Sequence, residues 1–370
     1  MTNISLECGP RILVIITRRI GDVLLATPLV RSLKLAWPEA KIDALVFAGT
    51  QDVISANPDI DRIINIDERP SFGTHLKLLA SIARRYDLAV SALPGDRPTL
   101  YAWIAGKRRI GLLETNAISR WKQRLLNQWV PFDNLNTHTV LMNLKLAELV
   151  KIPKHYEVVV SWSDSTAEYI DALLSRRAPN QRLAVLHLYP KFNYKMWCEK
   201  GWSELAHWLA NQGLRVVLTG SAAPEELGYI EAILPRLPSD TLNLAGQLNL
   251  EQSACLLGRA VIYIGPDTAL THVAAALGVP TVALYGPSNP VKWGPWPKGH
   301  REDRNPWKRF GSQHVRNVVL IQGSGACVPC LLEGCDRHIE SFSDCLQELP
   351  SRKVIAAAES LLKKYAAARA

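Results

Sequence analysis

Short runs of β-branched and aliphatic residues alternate along the chain with stretches whose apolar positions recur at helical spacing. Strands feeding helices in this way predict an α/β fold with parallel sheets. Arg11 to Thr17 reads as a buried first strand, and Asp22 to Ala36 as a helix with Val23, Leu24, Ala26, Val30, Leu33 and Leu35 at its apolar positions. Strands follow at Lys41 to Ala48, Arg62 to Ile66, Leu88 to Leu93 and Arg109 to Leu112, with helices at His75 to Arg85 and Thr139 to Val150. A polar stretch, Ser161 to Thr166, leads through a helix at Ala167 to Arg176 into the breaker run Ala178-Pro179-Asn180-Gln181.

A second series starts there. Its strands are expected at Leu183 to Leu188, Leu214 to Leu218, Val261 to Ile264 and Thr281 to Tyr285. Its helices are expected at Trp202 to Asn211, Pro224 to Leu234, Leu250 to Leu257 and Ala269 to Leu277. After Gly286 the chain turns rich in Pro, Trp and charge, passes a cysteine cluster, and ends in an amphipathic helix from Ser351 to about Ala368. The organisation read from this is a first unit over 1–165, a second over 166–350, and a helix over 351–370 that packs as structure, with the first unit one surface open to it.

Composition fits this picture and removes others. A length of 370 residues suggests two domains, and 48% hydrophobic content excludes a disordered chain. Gly, Pro or charges interrupt every apolar run before the roughly 18 residues of a membrane-spanning helix. Ile12 to Ile16 is too short for a signal-peptide core, so a cytoplasmic protein is expected, and seven cysteines read as free thiols or a metal site. The formal charge is +9, of which residues 1–160 carry +6. Lys107-Arg108-Arg109 and Arg120-Trp121-Lys122-Gln123-Arg124 suit an anionic partner or form a solvated basic face; no nucleic-acid reader motif accompanies them.

Candidate chemistry sits at two strand-to-helix turns. Thr17-Arg18-Arg19-Ile20-Gly21-Asp22 lacks both the dinucleotide fingerprint and the Gly-Lys-Ser/Thr phosphate loop. Asp22 there is either a plain helix cap or a carboxylate kept ionised by the helix terminus for service as a base. Gly265-Pro266-Asp267-Thr268-Ala269-Leu270-Thr271-His272 repeats the geometry, with helix N–H groups suited to a diphosphate and Asp267 turned to a sugar hydroxyl or capping the helix. His272 is read first as a core histidine. Lys195, in the loop after the second unit's first strand, is placed to neutralise a leaving diphosphate, with Lys191 and Lys200 as competitors.

Arg11 to Pro28 with its Gly21-Asp22-Val23-Leu24 turn, Lys195-Met196-Trp197, and Asp267 to Leu277 followed by Tyr285-Gly286-Pro287-Ser288 together resemble the ADP-heptose lipopolysaccharide heptosyltransferases, glycosyltransferase family 9. The resemblance implies a GT-B fold, two Rossmann-like doubly wound domains facing across a central cleft, the first for acceptor and the second for nucleotide sugar. It implies an inverting transfer from ADP-heptose to the inner core of lipopolysaccharide at the cytoplasmic face of a Gram-negative inner membrane. Asp22 matches the catalytic base, beside Gly21, and Lys195 the cation on the donor phosphates. Asp267, Thr268 and Ala269, with His272 in the same helix, match the donor loop; Glu225 or Glu226 matches the ribose acid and Leu248 the adenine pocket. The acceptor, a lipid-anchored anionic glycan, would meet Arg18, Arg19, Lys107, Arg108 and Arg120.

No metal cofactor is implied for the reaction. Cys327-x2-Cys330-x4-Cys335-x9-Cys345 reads as free thiols or as a structural zinc or iron site. Arg18-Arg19 stand where some family members carry small polar residues, which bears on acceptor recognition. Another acceptor, protein or glycan, another nucleotide sugar, and a nucleotide-sugar epimerase or hydrolase of similar fold are the alternative readings.

Overall fold

The computed structural model describes residues 9–115 and 120–367, with side chains through Tyr365. Two compact units emerge, the first over residues 1–159 with 301–305 and the second over 160–300 with 306–370. The short return of Arg301–Asn305 to the first unit is secured where Lys154 pairs with Glu148 and Asp303. No helix among the described residues is long and apolar enough to cross a membrane. The expected end of the last helix at Ala368 lies outside the described residues.

The first unit is built on six parallel strands, β1 (Arg11–Ile16), β2 (Lys41–Phe47), β3 (Arg62–Ile66), β4 (Tyr86–Ser91), β5 (Gly106–Leu113) and β6 (Gln128–Pro131), in the order β3-β2-β1-β4-β5-β6. β1 is covered on both faces, which explains its unbroken apolar run Ile12 to Ile16. The order reverses beside it, β2 lying on one flank and β4 on the other. The single helix expected over Asp22 to Ala36 is two, Ile20–Leu25 and Thr27–Ala36. Pro28 cannot donate to the carbonyl of Leu24; the Thr27 hydroxyl donates to it instead, at 2.7 Å. The helix Asp96–Ala105 went unread in the sequence because Pro98 interrupts its pattern, although proline is tolerated in a first turn.

The second unit carries β7 (Arg182–His187), β8 (Leu214–Thr219), β9 (Leu242–Asn243), β10 (Ala260–Pro266), β11 (Thr281–Tyr285), β12 (Gln313–Val315) and β13 (Val318–Gln322), ordered β12-β13-β11-β10-β7-β8-β9. Only β12 runs antiparallel to its neighbour. β12, β9 and β6 lie in segments too short or too polar to show a strand pattern, whereas β13 is an apolar run, Val318-Val319-Leu320-Ile321, that went unread within the charged segment after Gly286. The carboxy-terminal helix Ser351–Ala367 is part of this unit rather than a separate piece. Val354, Ala358 and Leu361 join the core in which Trp197 and Trp202 sit edge to face, ring centres 4.9 Å apart.

Lys195 precedes that aromatic pair by two residues, so core packing and loop position are coupled. Gly201 presses on the Trp197 ring so closely that an added Cβ would lie 2.4 Å from it. Gly201→Ala is expected to cost about 1–3 kcal/mol by overpacking, read as a lowered urea midpoint with unchanged slope.

Candidate active site

Both units present their candidate residues at the carboxyl edge of the parallel sheet, beside the point where strand order reverses, the position at which open α/β sheets bind ligands. In the first unit, β1 runs into Arg19, whose extended backbone starts the helix Ile20–Leu25 without a side-chain cap bond. Asp22 lies inside the first turn and is buried, so it is no N-cap. Arg18 Nε stands 3.6 Å from its Oδ2, and Arg18 is itself nearly half exposed. The turn is held from behind: Val159 N donates to Thr27 Oγ1 at 2.9 Å, and Asn143 Nδ2 to Leu25 O at 3.4 Å.

The basic residues expected to assist divide into two groups. Arg18, Arg19 and Arg120 are exposed, the first two adjoining Asp22. Lys107 and Arg108 do not belong with them. They open β5, where Arg108 lies opposite Leu88 and Leu88 opposite Ile12, at the amino edge of the sheet. The four residue-to-residue steps from Ile12 to Ile16 put them about 13 Å from the Asp22 edge. Lys107 is also engaged, its Nζ 2.9 Å from Asp87 Oδ1. Sequence proximity to other basic residues suggested a shared surface; the direction of β5 separates them.

In the second unit β10 ends at Pro266, and Asp267 lies buried ahead of the helix Ala269–Leu277. Asp267 does not cap that helix. Its Oδ2 accepts from Lys195 Nζ at 2.6 Å and from the Ser288 hydroxyl at 2.7 Å, and its Oδ1 lies 3.2 Å from the Tyr285 hydroxyl, whose single proton it shares with Trp293 O at 2.7 Å. His272 is buried in the helix with Nε2 3.8 Å from Oδ1. Burial pushes the Asp267 carboxyl upward, but the Lys195 ammonium and His272 outweigh it, so the group sits well below the ordinary carboxylate range. Burial, reinforced by this carboxylate, drives the Tyr285 phenol far up, keeping it a neutral donor. Lys195 is mostly covered, whereas its competitors Lys191 and Lys200 are exposed.

Tyr285 and Ser288 had been noted only as part of a motif; their roles as donors to Asp267 became readable once β11 was placed beside β10. Thr268, half-buried, starts the helix with its hydroxyl uncommitted to capping, and Ala269 follows as the first helical residue. The tail after β13 secures both loops of this cluster. Gln347 Nε2 donates to Met196 O at 2.9 Å, Trp197 Nε1 to Leu349 O at 2.8 Å, and Leu331 N to Pro287 O at 3.0 Å.

The choice between Glu225 and Glu226 is also structural. Glu225 is exposed, whereas Glu226 is buried after β8, its Oε2 accepting from Ser221 at 2.5 Å and its Oε1 without a hydrogen-bond partner. Burial lowers the pKa of the neighbouring His187, against the pull of Glu226. Leu248 is half-buried just before the helix Leu250–Arg259, whose start carries a complete capping box from Asn249 and Gln252.

For the cysteines, read as free thiols or as a structural metal site, the structure gives the metal reading no support. Among the described residues no three His, Cys, Asp or Glu side chains are arranged to hold a metal ion. Cys345 is buried under Gly286, and burial with the neighbouring Cys330, Cys335 and Cys327 pushes its thiol up to about 12. Cys335 accepts from Asp344 N at 3.4 Å, while Cys327 is exposed.

Asp267→Asn tests the electrostatics. A depressed carboxylate pKa contributes stability above its unfolded value of about 4 and loses it as pH falls below that. The variant is therefore expected to be less stable by about 3 kcal/mol at neutral pH. The gap should narrow as urea unfolding is repeated below about pH 4.

The family model for glycosyltransferase family 9 (heptosyltransferase) matches residues 77–309. Lipopolysaccharide heptosyltransferase 3 of Escherichia coli K12 is 26% identical over 75% of this chain and 82% of its own length. Lipopolysaccharide heptosyltransferase 2 of Salmonella typhimurium LT2 is 29% identical over 76% and 84%. Among solved structures, a family 9 glycosyl transferase from Veillonella parvula DSM 2008 superposes with a TM-score of 0.77 at 21% identity, covering 97% of this chain and 99% of that one. The ADP-heptose lps heptosyltransferase II of E. coli gives 0.75 at 24% identity, with 96% and 99% covered. With two parallel-sheet units and this family match across most of its length, the chain belongs to glycosyltransferase family 9 and has its GT-B fold.

Proposed function

We propose that the chain transfers a heptose from ADP-heptose to the inner-core oligosaccharide of lipopolysaccharide, inverting the anomeric centre, at the cytoplasmic face of the inner membrane. The observation that carries this is the buried Lys195–Asp267 pair before a helix amino terminus, a fixed cation beside free N–H groups where a diphosphate would dock. The names of the relatives support the sugar and the acceptor, and the E. coli structure's name supports the nucleotide.

In this reading Asp22 takes the proton of an acceptor hydroxyl as that oxygen attacks the anomeric carbon. The bond to the diphosphate oxygen breaks on the opposite face, and ADP leaves with the electron pair. Lys195 and the N–H groups at Thr268 and Ala269 receive the charge developing on the diphosphate, without a divalent ion. Asp267, oriented by Tyr285 and Ser288, holds Lys195 and accepts from a sugar hydroxyl. Glu226 serves the ribose through its unpartnered oxygen, and Leu248 lines the adenine. Arg18, Arg19 and Arg120 meet the phosphates and acid sugars of the lipid-anchored acceptor.

The test is incubation with a panel of nucleotide sugars and truncated core lipids. ADP-heptose is expected to yield a glycolipid one heptose heavier, at a rate unchanged by a chelator. Free sugar as product, or transfer only from a different donor, overturns the assignment. Asp22→Asn is expected to lower kcat by about 10²–10⁴-fold with donor binding kept. Lys195→Ala should lower kcat/KM for the donor by about 10²-fold, and an unchanged value at limiting donor removes it from the site.

A further inference from the structure

Two neighbouring helices of the first unit turn apolar side chains outward. The helices Phe72–Ile82 and Asp96–Ala105 pack together on one face of the sheet and bury Leu78, Ile82, Tyr101, Ala102 and Ala105 in the core. His75 and Tyr101 lock them, Nε2 to hydroxyl at 3.1 Å. On their outer side Phe72 is 84% exposed, Leu76 55%, Trp103 40% and Leu100 36%, and Trp121 beyond them is 40% exposed. Lys122 ties Trp121 to this layer, its Nζ 2.9 Å from both Pro94 O and Asp96 Oδ1 at the start of the second helix. Trp121 is thereby anchored beside the start of the second helix.

The charge on that surface is mixed with a basic excess, Asp67, Glu68 and Asp96 being exposed there as well. Arg69, Lys77, Arg120 and Arg124 are exposed among the apolar residues, and across 67–77, 96–103 and 120–124 basic residues outnumber acidic ones six to three. Aromatic and aliphatic side chains set among Lys and Arg have the chemistry of a headgroup interface: rings enter the acyl boundary while cations meet phosphates. We propose that this face docks the first unit onto a bilayer leaflet of anionic phospholipid. It rests on the lipid-anchored acceptor reading for its purpose. The face begins at the carboxyl edge of the sheet, the edge at which Asp22 stands, because Phe72 follows β3 and Asp96 follows β4. Docking there would present the Asp22 edge to a sugar chain rooted in the same leaflet.

The experiment is sedimentation of the full chain with vesicles of phosphatidylcholine alone or containing phosphatidylglycerol, with no sugar substrate present. The wild-type chain is expected to sediment with the anionic vesicles only, less so as salt is raised from about 0.05 M to about 0.5 M. The Phe72→Ser/Trp103→Ser/Trp121→Ser variant should partition at least about tenfold less. It should transfer to a soluble deacylated acceptor at the wild-type rate and melt at the wild-type temperature. Single substitutions, read the same way, replace the triple variant if its melting temperature falls. Wild-type binding to neither vesicle, binding indifferent to lipid charge, or variants that sediment like wild type overturn the proposal. Because vesicle binding and sugar transfer are read separately, loss of one reading leaves the other standing.

Discussion

The second unit is organised around one buried ion pair. Lys195 and Asp267 come from loops after β7 and β10, strands adjacent in the sheet although the two residues are 72 apart in sequence. A buried carboxylate is costly unless its lone pairs are filled, and here Lys195, Ser288 and Tyr285 fill them. That requirement reaches outward. Ser288 is correctly placed only if the loop after β11 is, and that loop rests on Cys345 and Leu346 beneath Gly286. Lys195 is correctly placed only if Trp197 is seated, and Trp197 is bonded to Leu349 and wedged between Trp202 and Gly201. The cysteine-bearing tail thus acts on the site through packing and backbone hydrogen bonds, with Cys345 serving as a small buried hydrophobe.

The alternation of strands and helices was legible because fully covered parallel strands read as unbroken apolar runs, as Ile12 to Ile16 and Leu183 to Leu186 are. Edge elements were not. β9 has two residues and β12 three, so no period could be seen in them. Pro98 masked a helix and Pro28 divided one, both through local backbone chemistry that periodicity does not register. Among candidate site residues, Asp22, Lys195 and Asp267 were found because each follows a strand, and strand ends are where such sheets collect chemistry. Lys107 and Arg108 were misplaced for the complementary reason: they precede their strand's body, and composition carries no direction. Glu226 was separable from Glu225 only by burial, and the roles of Tyr285 and Ser288 only by strand adjacency.

The two units place acidic residues in comparable positions and use them differently. Asp22 is buried in the first turn of its helix, with the half-exposed Arg18 guanidinium 3.6 Å away. Asp267 is enclosed by donors on both oxygens. A carboxylate that must hold a cation still benefits from that enclosure, since strong donors to its charged form keep it ionised. The proposed mechanism asks this of Asp267 and asks proton transfer of Asp22.

Asp267 also raises an apparent conflict, since an anion beside a diphosphate site ought to repel its ligand. The geometry of Lys195 limits that penalty. An ammonium has three donors; two are directed to Asp267, at Oδ2 and at its backbone oxygen, which leaves one for a ligand. The carboxylate consumes part of the cation's charge and in exchange removes the flexibility of a long side chain, so the remaining N–H has a set direction before a ligand arrives. Electrostatic stabilisation depends on that preorganisation more than on formal charge, because a dipole already aimed needs no reorganisation when charge develops. The helix Ala269–Leu277 adds N–H groups of fixed direction from the adjoining turn. A site of this design has modest net charge and rigid donors, and it would favour a diphosphate that is leaving, with charge growing on its bridging oxygen, over one that is merely bound.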